Sequence, residues 1–299
     1  MTEIVTGEFD VPQWFSRALA IEPDIGATEV AGTTIRYRAW GDRGQPGVVL
    51  VHGGAAHSRW WDHVAPLLAA GRRVAAMDLS GHGDSGRRTV YSLDIWADEL
   101  IAVAEAAGIA GPPVLVGHSM GGFVTLTAAR RHGAVLTGVL AIDSPVRELT
   151  PEEKAARDRK AFGPLRVYAS REEALKRFRP IPDEGPVLSY VVDHIAAESI
   201  REVPGGWSWK FDPKIFGRPA LSPSLLTTLD CRVALFRAER GLVSEQMGEV
   251  MYDRLGRAAP LIEIPDAGHH IMLDQPLALV TGLRTLLADW EHSLPNSPG

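Results

Sequence analysis

The stretch Pro113-Val114-Leu115-Val116-Gly117-His118-Ser119-Met120-Gly121-Gly122, continued by Phe123 to Arg131, decides the fold. The apolar run before it reads as a buried strand and the run after it as a helix, so a sharp turn must join them. A serine at the apex of that turn sits in strained, positive-φ backbone. Gly117 and Gly121 let strand and helix approach without a Cβ clash. Ser119 Oγ is thereby thrust out at the end of the strand. Glycines and serine occur together in many loops; the strand before and the helix after make this G-x-S-x-G pattern specific.

Outward from this turn, strands and helices alternate. Ile35-Arg36-Tyr37-Arg38-Ala39-Trp40 alternates as a half-exposed strand, and Val48-Val49-Leu50-Val51 is continuously apolar, as in a central parallel strand. Trp60 to Ala69 reads as a helix, Arg73 to Met77 as a strand, Leu93 to Ala107 as a helix and Val135 to Ile142 as a strand. Arg232 to Phe236 and Leu261 to Ile264 supply two more strands, separated by a helix near Ser244 to Leu255 and followed by a last helix, Pro276 to Trp290. The alternation predicts an α/β protein with a mostly parallel central sheet flanked by helices, its ligands at the carboxyl ends of the strands. The stretch from Val146 to Leu226 breaks the pattern with charged helix formers, an amphipathic run from Pro186 to Glu202 and repeated prolines. It reads as an inserted helical cap, residues 146–226, on a core formed by residues 1–145 and 227–299.

Composition narrows the function classes. With 23% charged residues and a net charge of −6, the chain has no basic surplus for nucleic acid, and no Lys/Arg cluster suggests an anionic membrane. No apolar stretch approaches the roughly 18 residues of a membrane span. Met1 to Asp10 has neither a basic n-region nor an apolar h-region, so no signal peptide is read and a cytoplasmic location is expected. The single cysteine, Cys231, excludes an intrachain disulfide.

Four segments carry a resemblance: His52-Gly53-Gly54, Asp78 to Ser85, the turn around Ser119, and Ala267-Gly268-His269 with Leu273-Asp274-Gln275-Pro276. Together they resemble the α/β-hydrolase superfamily, in the branch of small bacterial enzymes with a helical cap. The resemblance runs from about Thr33 to Trp290 and implies a Ser-acid-His triad in that chain order. A serine hydroxyl needs a base. His269, in Ile264-Pro265-Asp266-Ala267-Gly268-His269-His270 after the last strand, is the candidate, ahead of His270. The oxyanion formed on attack needs two backbone donors, expected from Met120, at the start of a helix, and from Gly54. His52, His82 and His118 are read as loop-shaping residues. Candidate substrate contacts are Gly53, His118, Trp207, Trp209 and Phe211, the aromatics serving equally to pack a cap on a core. Lys210 and Arg237 are the cations that could meet a substrate carboxylate.

The acid is open. The usual position, past the strand that leaves the cap, reads Arg237-Ala238-Glu239-Arg240-Gly241, with Glu239 as its only carboxylate. A second position, the end of the preceding strand, holds Asp143 in Ile142-Asp143-Ser144-Pro145. Glu239 is favoured narrowly over Asp143.

The expectation is a cofactor-free, metal-free serine hydrolase acting on a small, largely apolar ester or lactone. A serine nucleophile argues against the epoxide hydrolases and dehalogenases of the superfamily. Hydrolysis of a carbon–carbon bond in a β-diketone or ring-fission product is the alternative reaction, and a non-catalytic ligand-binding protein the alternative from another class. No nucleic-acid or membrane partner is expected, and a homodimer is left open.

Overall fold

A computed structural model describes residues 11–293 apart from 183–184 and 218–220. The reading of Met1 to Asp10 lies outside the described residues. Eight strands form one sheet: β1 (Asp24–Val30), β2 (Thr33–Trp40), β3 (Gly47–Val51), β4 (Arg73–Met77), β5 (Val114–His118), β6 (Gly138–Ile142), and, after a long insertion, β9 (Arg232–Ala238) and β10 (Leu261–Ile264). Their spatial order is β1-β2-β4-β3-β5-β6-β9-β10. The β1/β2 and β2/β4 pairs are antiparallel and every other pair is parallel. This is the α/β-hydrolase fold.

The sequence explains the layering. All five residues of each of β3, β4, β5 and β6 are buried, as strands covered on both faces must be. One core cluster joins Leu50, Val116 and Phe236 to the C-terminal helix Pro276–His292; the other joins Val49, Leu115 and Val139 to helices Leu93–Ala106 and Met120–His132. Strand β1 has no apolar run and lies exposed at the sheet edge, which is why periodicity passes over it. The predicted helix from Trp60 to Ala69 is instead a 3₁₀ turn, Ser58–Trp61, and a short helix, Ala65–Leu68. Trp60 and Trp61 are buried and hold the chain against the sheet rather than completing an amphipathic face.

The insertion between β6 and β9 holds helices Pro151–Phe162, Arg171–Leu175 and Ser189–Glu198 and an antiparallel ribbon, β7 (Ile200–Val203) with β8 (Gly206–Trp209). The amphipathic run from Pro186 to Glu202 thus changes from helix to strand after Glu198. The insertion is tied to the core at defined points. Leu188 N–H donates to Leu273 O at 2.8 Å, His194 Nε2 lies 3.1 Å from Asp62, and Arg59 pairs with Glu198 at 3.0 Å. On its other flank Gly83 N–H donates to Lys210 O and Asp212 N–H to Gly81 O, both at 2.7 Å.

The β5 turn has no spare volume. A Cβ at Gly117 would lie 2.2 Å from Gly121 O, and one at Gly121 would lie 2.6 Å from the Val51 and His52 carbonyls. These obstacles are backbone and cannot rotate aside. Gly117→Ala is expected to destabilise the protein by about 1–3 kcal/mol. The check is thermal unfolding, where each kcal/mol lowers Tm by roughly 2–4 °C.

Candidate active site

Ser119 has φ 54° and ψ −117°, the strained turn its flanking glycines anticipated. Its N–H donates to Ile142 O at 2.8 Å, fastening the turn to β6. The loop after β10 brings His269 to it, with Nε2 3.0 Å from Ser119 Oγ. The third group is Asp143: His269 Nδ1–H donates to Asp143 Oδ2 at 2.6 Å. The donor must be the ring, because a carboxylate only accepts. That fixes the tautomer and leaves Nε2 facing the serine as an acceptor.

Glu239, the acid favoured from sequence, is elsewhere. Its Oε2 accepts from Asp266 N–H at 2.6 Å on the exposed side of the turn. The turn after β9 contributes backbone rather than a carboxylate. Asp143 Oδ1 accepts from Ala238 N–H at 3.3 Å and Val243 N–H at 3.2 Å, and Oδ2 from Leu242 N–H at 2.8 Å. Gly241 lets this turn close, since a Cβ there would stand 2.4 Å from Asp143 Oδ2. Asp143 is fully buried at φ 43°, with its own N–H on Phe236 O at 2.7 Å. The sequence signals were the strand-ending Ile142-Asp143 and the glycine two residues past Glu239.

Buried histidines brace the loops around the triad. His52 Nε2 accepts from Leu79 N–H at 3.1 Å, so its Nδ1 carries the proton and donates to Gly53 O at 2.8 Å. His118 Nε2–H donates to His269 O at 2.8 Å. His118, a candidate substrate contact by sequence, is buried under the histidine loop and holds it in place. Gly53 likewise faces inward, its Cβ position 3.1 Å from His118 Nδ1. Burial lowers the pKa of His52, and it lowers those of His57 and His118 well below the usual imidazole value. His63 is brought down to about 4 and His270 to about 3 by the same cause. The ring nitrogens of His118, His269 and His270 come within 4.8 Å of one another. His118 Nε2 and both nitrogens of His269 are already committed to hydrogen bonds, so the three rings form a braced loop rather than a ready ligand set.

A cavity of about 690 Å³ lies between this edge of the sheet and the insertion, lined by Gly54, Trp60, Phe178, Trp209, Phe211 and Phe216 among others. Of the residues singled out from sequence, Gly54, Trp209 and Phe211 line this cavity. Trp207 does not line it: it shares a strand face with Trp209 but lies two residues nearer the ribbon tip, and while both pack on the insertion's cluster of Tyr168 and Ile200, only Trp209 also reaches this cavity. Met120, at the helix start, lies beside Gly54, its Sδ 3.8 Å from the Gly54 Cβ position. Trp60, Phe178, Phe216 and Ser199 were not foreseen as lining residues, because each reads as ordinary core or cap. Ser199 Oγ donates to Ile195 O at 2.7 Å and accepts from His57 Nε2 at 2.8 Å. The two cations considered for a substrate carboxylate are engaged, Lys210 with Asp84 at 3.1 Å and Arg237 with Glu263. A second groove, about 660 Å³, opens beside Thr137, Cys231 and Pro260 at the amino ends of the strands, far from the triad.

Comparison with known proteins identifies the family. The model of the "Alpha/beta hydrolase family" matches residues 48–282. The chain belongs to that family. The lipase LipV of Mycobacterium tuberculosis is 29% identical over 268 residues, covering 85% of this chain and 97% of that protein. An esterase of the same organism is 24% identical over 261 residues, 83% of this chain and 84% of its own length. Among solved structures, E-2-(acetamidomethylene)succinate hydrolase superposes with a TM-score of 0.78 at 19% identity, over 89% of this chain and 100% of that one. Among the described residues of this hydrolase no helix is long and apolar enough to cross a membrane.

Asp143→Asn should lower turnover of any substrate by about 10⁴-fold, through loss of the productive His269 tautomer. Glu239→Gln should stay within about twofold, since an exposed contact contributes little; steady-state kinetics on the two variants separates the carboxylates. A further expectation concerns pH. Native-state pKa values of His52, His57, His63, His118 and His270 lie below 6.5, so below that pH these groups bind more protons in the unfolded chain than in the folded one. Stability then falls as pH falls, by about 1.4 kcal/mol per pH unit for each net proton. Urea unfolding at pH 7, 6 and 5 measures it.

Proposed function

We propose that this hydrolase cleaves carboxylic esters or lactones through an acyl-enzyme on Ser119. The observation that carries the reading is the continuous hydrogen-bond line from Asp143 Oδ2 to His269 Nδ1 at 2.6 Å and from His269 Nε2 to Ser119 Oγ at 3.0 Å. In the proposed reaction His269 takes the Ser119 proton as Oγ attacks the substrate carbonyl, and Asp143 stabilises the resulting imidazolium. The N–H groups of Met120 and Gly54 receive the oxyanion. His269 returns its proton to the departing alkoxide; it then deprotonates a water, which releases the acid.

The cavity supports a small, largely apolar substrate. Trp60, Phe178, Trp209, Phe211 and Phe216 offer aromatic surface to an acyl chain, and the ribbon and the 178–181 segment roof it over as a cap. Most of the relatives' names favour an ester: one is a lipase, another an esterase and others are pimeloyl-[acyl-carrier protein] methyl ester esterases, beside a 2-hydroxymuconate semialdehyde hydrolase.

The test is covalent labelling with a fluorophosphonate, read by intact mass and peptide mapping, alongside turnover of short-chain and medium-chain nitrophenyl esters. One adduct on Ser119 is expected, absent from Ser119→Ala. That variant should lose about 10⁴- to 10⁶-fold in kcat and keep a residue of activity from the oxyanion donors. Ester turnover undiminished in Ser119→Ala overturns the reading.

A further inference from the structure

A second, smaller cavity of about 170 Å³ adjoins the first. The two share Phe178, Arg179, Pro180 and His270, but of the two only the smaller is also lined by Gly268, His269 and Asp274. Its remaining wall is apolar, from Pro182, Val187 and Val192. Three buried polar atoms belong to residues of this chamber and lack a hydrogen-bond partner: Asp274 Oδ1 and both ring nitrogens of His270. The Ile181 carbonyl lies near that ring, outside hydrogen-bond geometry. The other Asp274 oxygen is used, accepting from Gly268 N–H at 2.6 Å.

Native proteins rarely leave buried polar atoms unpaired, and where several cluster at one small cavity, ordered water satisfies them. The chamber has several times the roughly 30 Å³ that one water occupies in the liquid. Its chemistry suits water. Burial brings His270 down to about 3, so at neutral pH the ring is uncharged, with one donor and one acceptor. Asp274, pushed up to about 6 by burial, is still largely an acceptor at that pH. The main cavity shares Arg179 and His270 and adds Arg177 and Ser199 to its aromatic walls, but of the two only the smaller chamber has a carboxylate, Asp274, and the ring of His269 on its wall.

We infer that this chamber supplies the water that hydrolyses the acyl-enzyme, with Asp274 and His270 as its positioning residues. The inference rests on the acyl-enzyme reading above. Water oxygen adds to the acyl carbonyl while one of its protons passes to His269 Nε2. The bond from the acyl carbon to Ser119 Oγ then breaks, Oγ takes the proton from His269, and the carboxylic acid leaves. The acyl chain fills one cavity while the nucleophile of the second half-reaction arrives from the other.

Val192→Phe, on helix Ser189–Glu198, places a ring at the chamber wall. With nitrophenyl butyrate, the nitrophenol burst measures acylation, and quenched intact mass measures decay of the acyl-enzyme. Acylation should stay within about twofold of wild type while decay slows about 10- to 100-fold, the scale of a mispositioned reactant. Asp274→Asn should slow decay in the same selective manner. Unchanged decay in both Val192→Phe and Asp274→Asn overturns the inference, as does an equal fall of both rates, which would mark a merely structural role. A wild type that forms neither acyl-enzyme nor product overturns the ester reading and this inference with it. Normal wild-type turnover with unaltered variants removes the inference alone.

Discussion

The arrangement depends on one buried carboxylate. Asp143 is sequestered from water at the end of β6, and four hydrogen bonds converge on it, three from the backbone of residues 238–243 and one from His269. A buried ion left unpaired is severely destabilising, so each donor is needed by the fold as well as by the site. The same contacts join the ends of β6 and β9 and the loop after β10. Ser119 N–H on Ile142 O adds the β5 turn to that knot. The geometry of the triad is therefore a by-product of how four strand ends are stapled together.

Much of this was legible in the chain. Runs such as Val48–Val51 and Val114–Val116 declare doubly covered strands, and a glycine-flanked serine between strand and helix suits few turns but a nucleophile's. Local chemistry also placed His269, because a histidine after the last strand has only one sheet edge to serve. The acid was not legible to the same degree. Choosing between Glu239 and Asp143 depends on which of them the turn at 238–243 wraps around, and that turn is defined by backbone N–H directions that no residue letter encodes. Gly241 hinted at it only by what it lacks. Strand β1 was missed for a related reason: Asp24–Val30 is paired by backbone at an exposed edge and needs no apolar pattern.

The insertion was legible as a change of texture and opaque in detail. Charge and proline content set it apart from the alternating core, yet its ribbon arises where an amphipathic run changes periodicity within two residues, at Glu198 to Ile200. Once the ribbon forms, both Trp207 and Trp209 pack within the insertion, and distance along the ribbon lets only Trp209 reach the cavity as well.

The insertion begins within three residues of Asp143, and the first residues of that exit are anchored. Ser144 and Val146 are buried, and Ser144 Oγ donates to Ile142 O at 3.1 Å. They work as a strain relief does on a cable, absorbing displacement before it reaches the carboxylate. A shift of the insertion over the cavity is consequently damped before it reaches the line of Asp143, His269 and Ser119 beneath it.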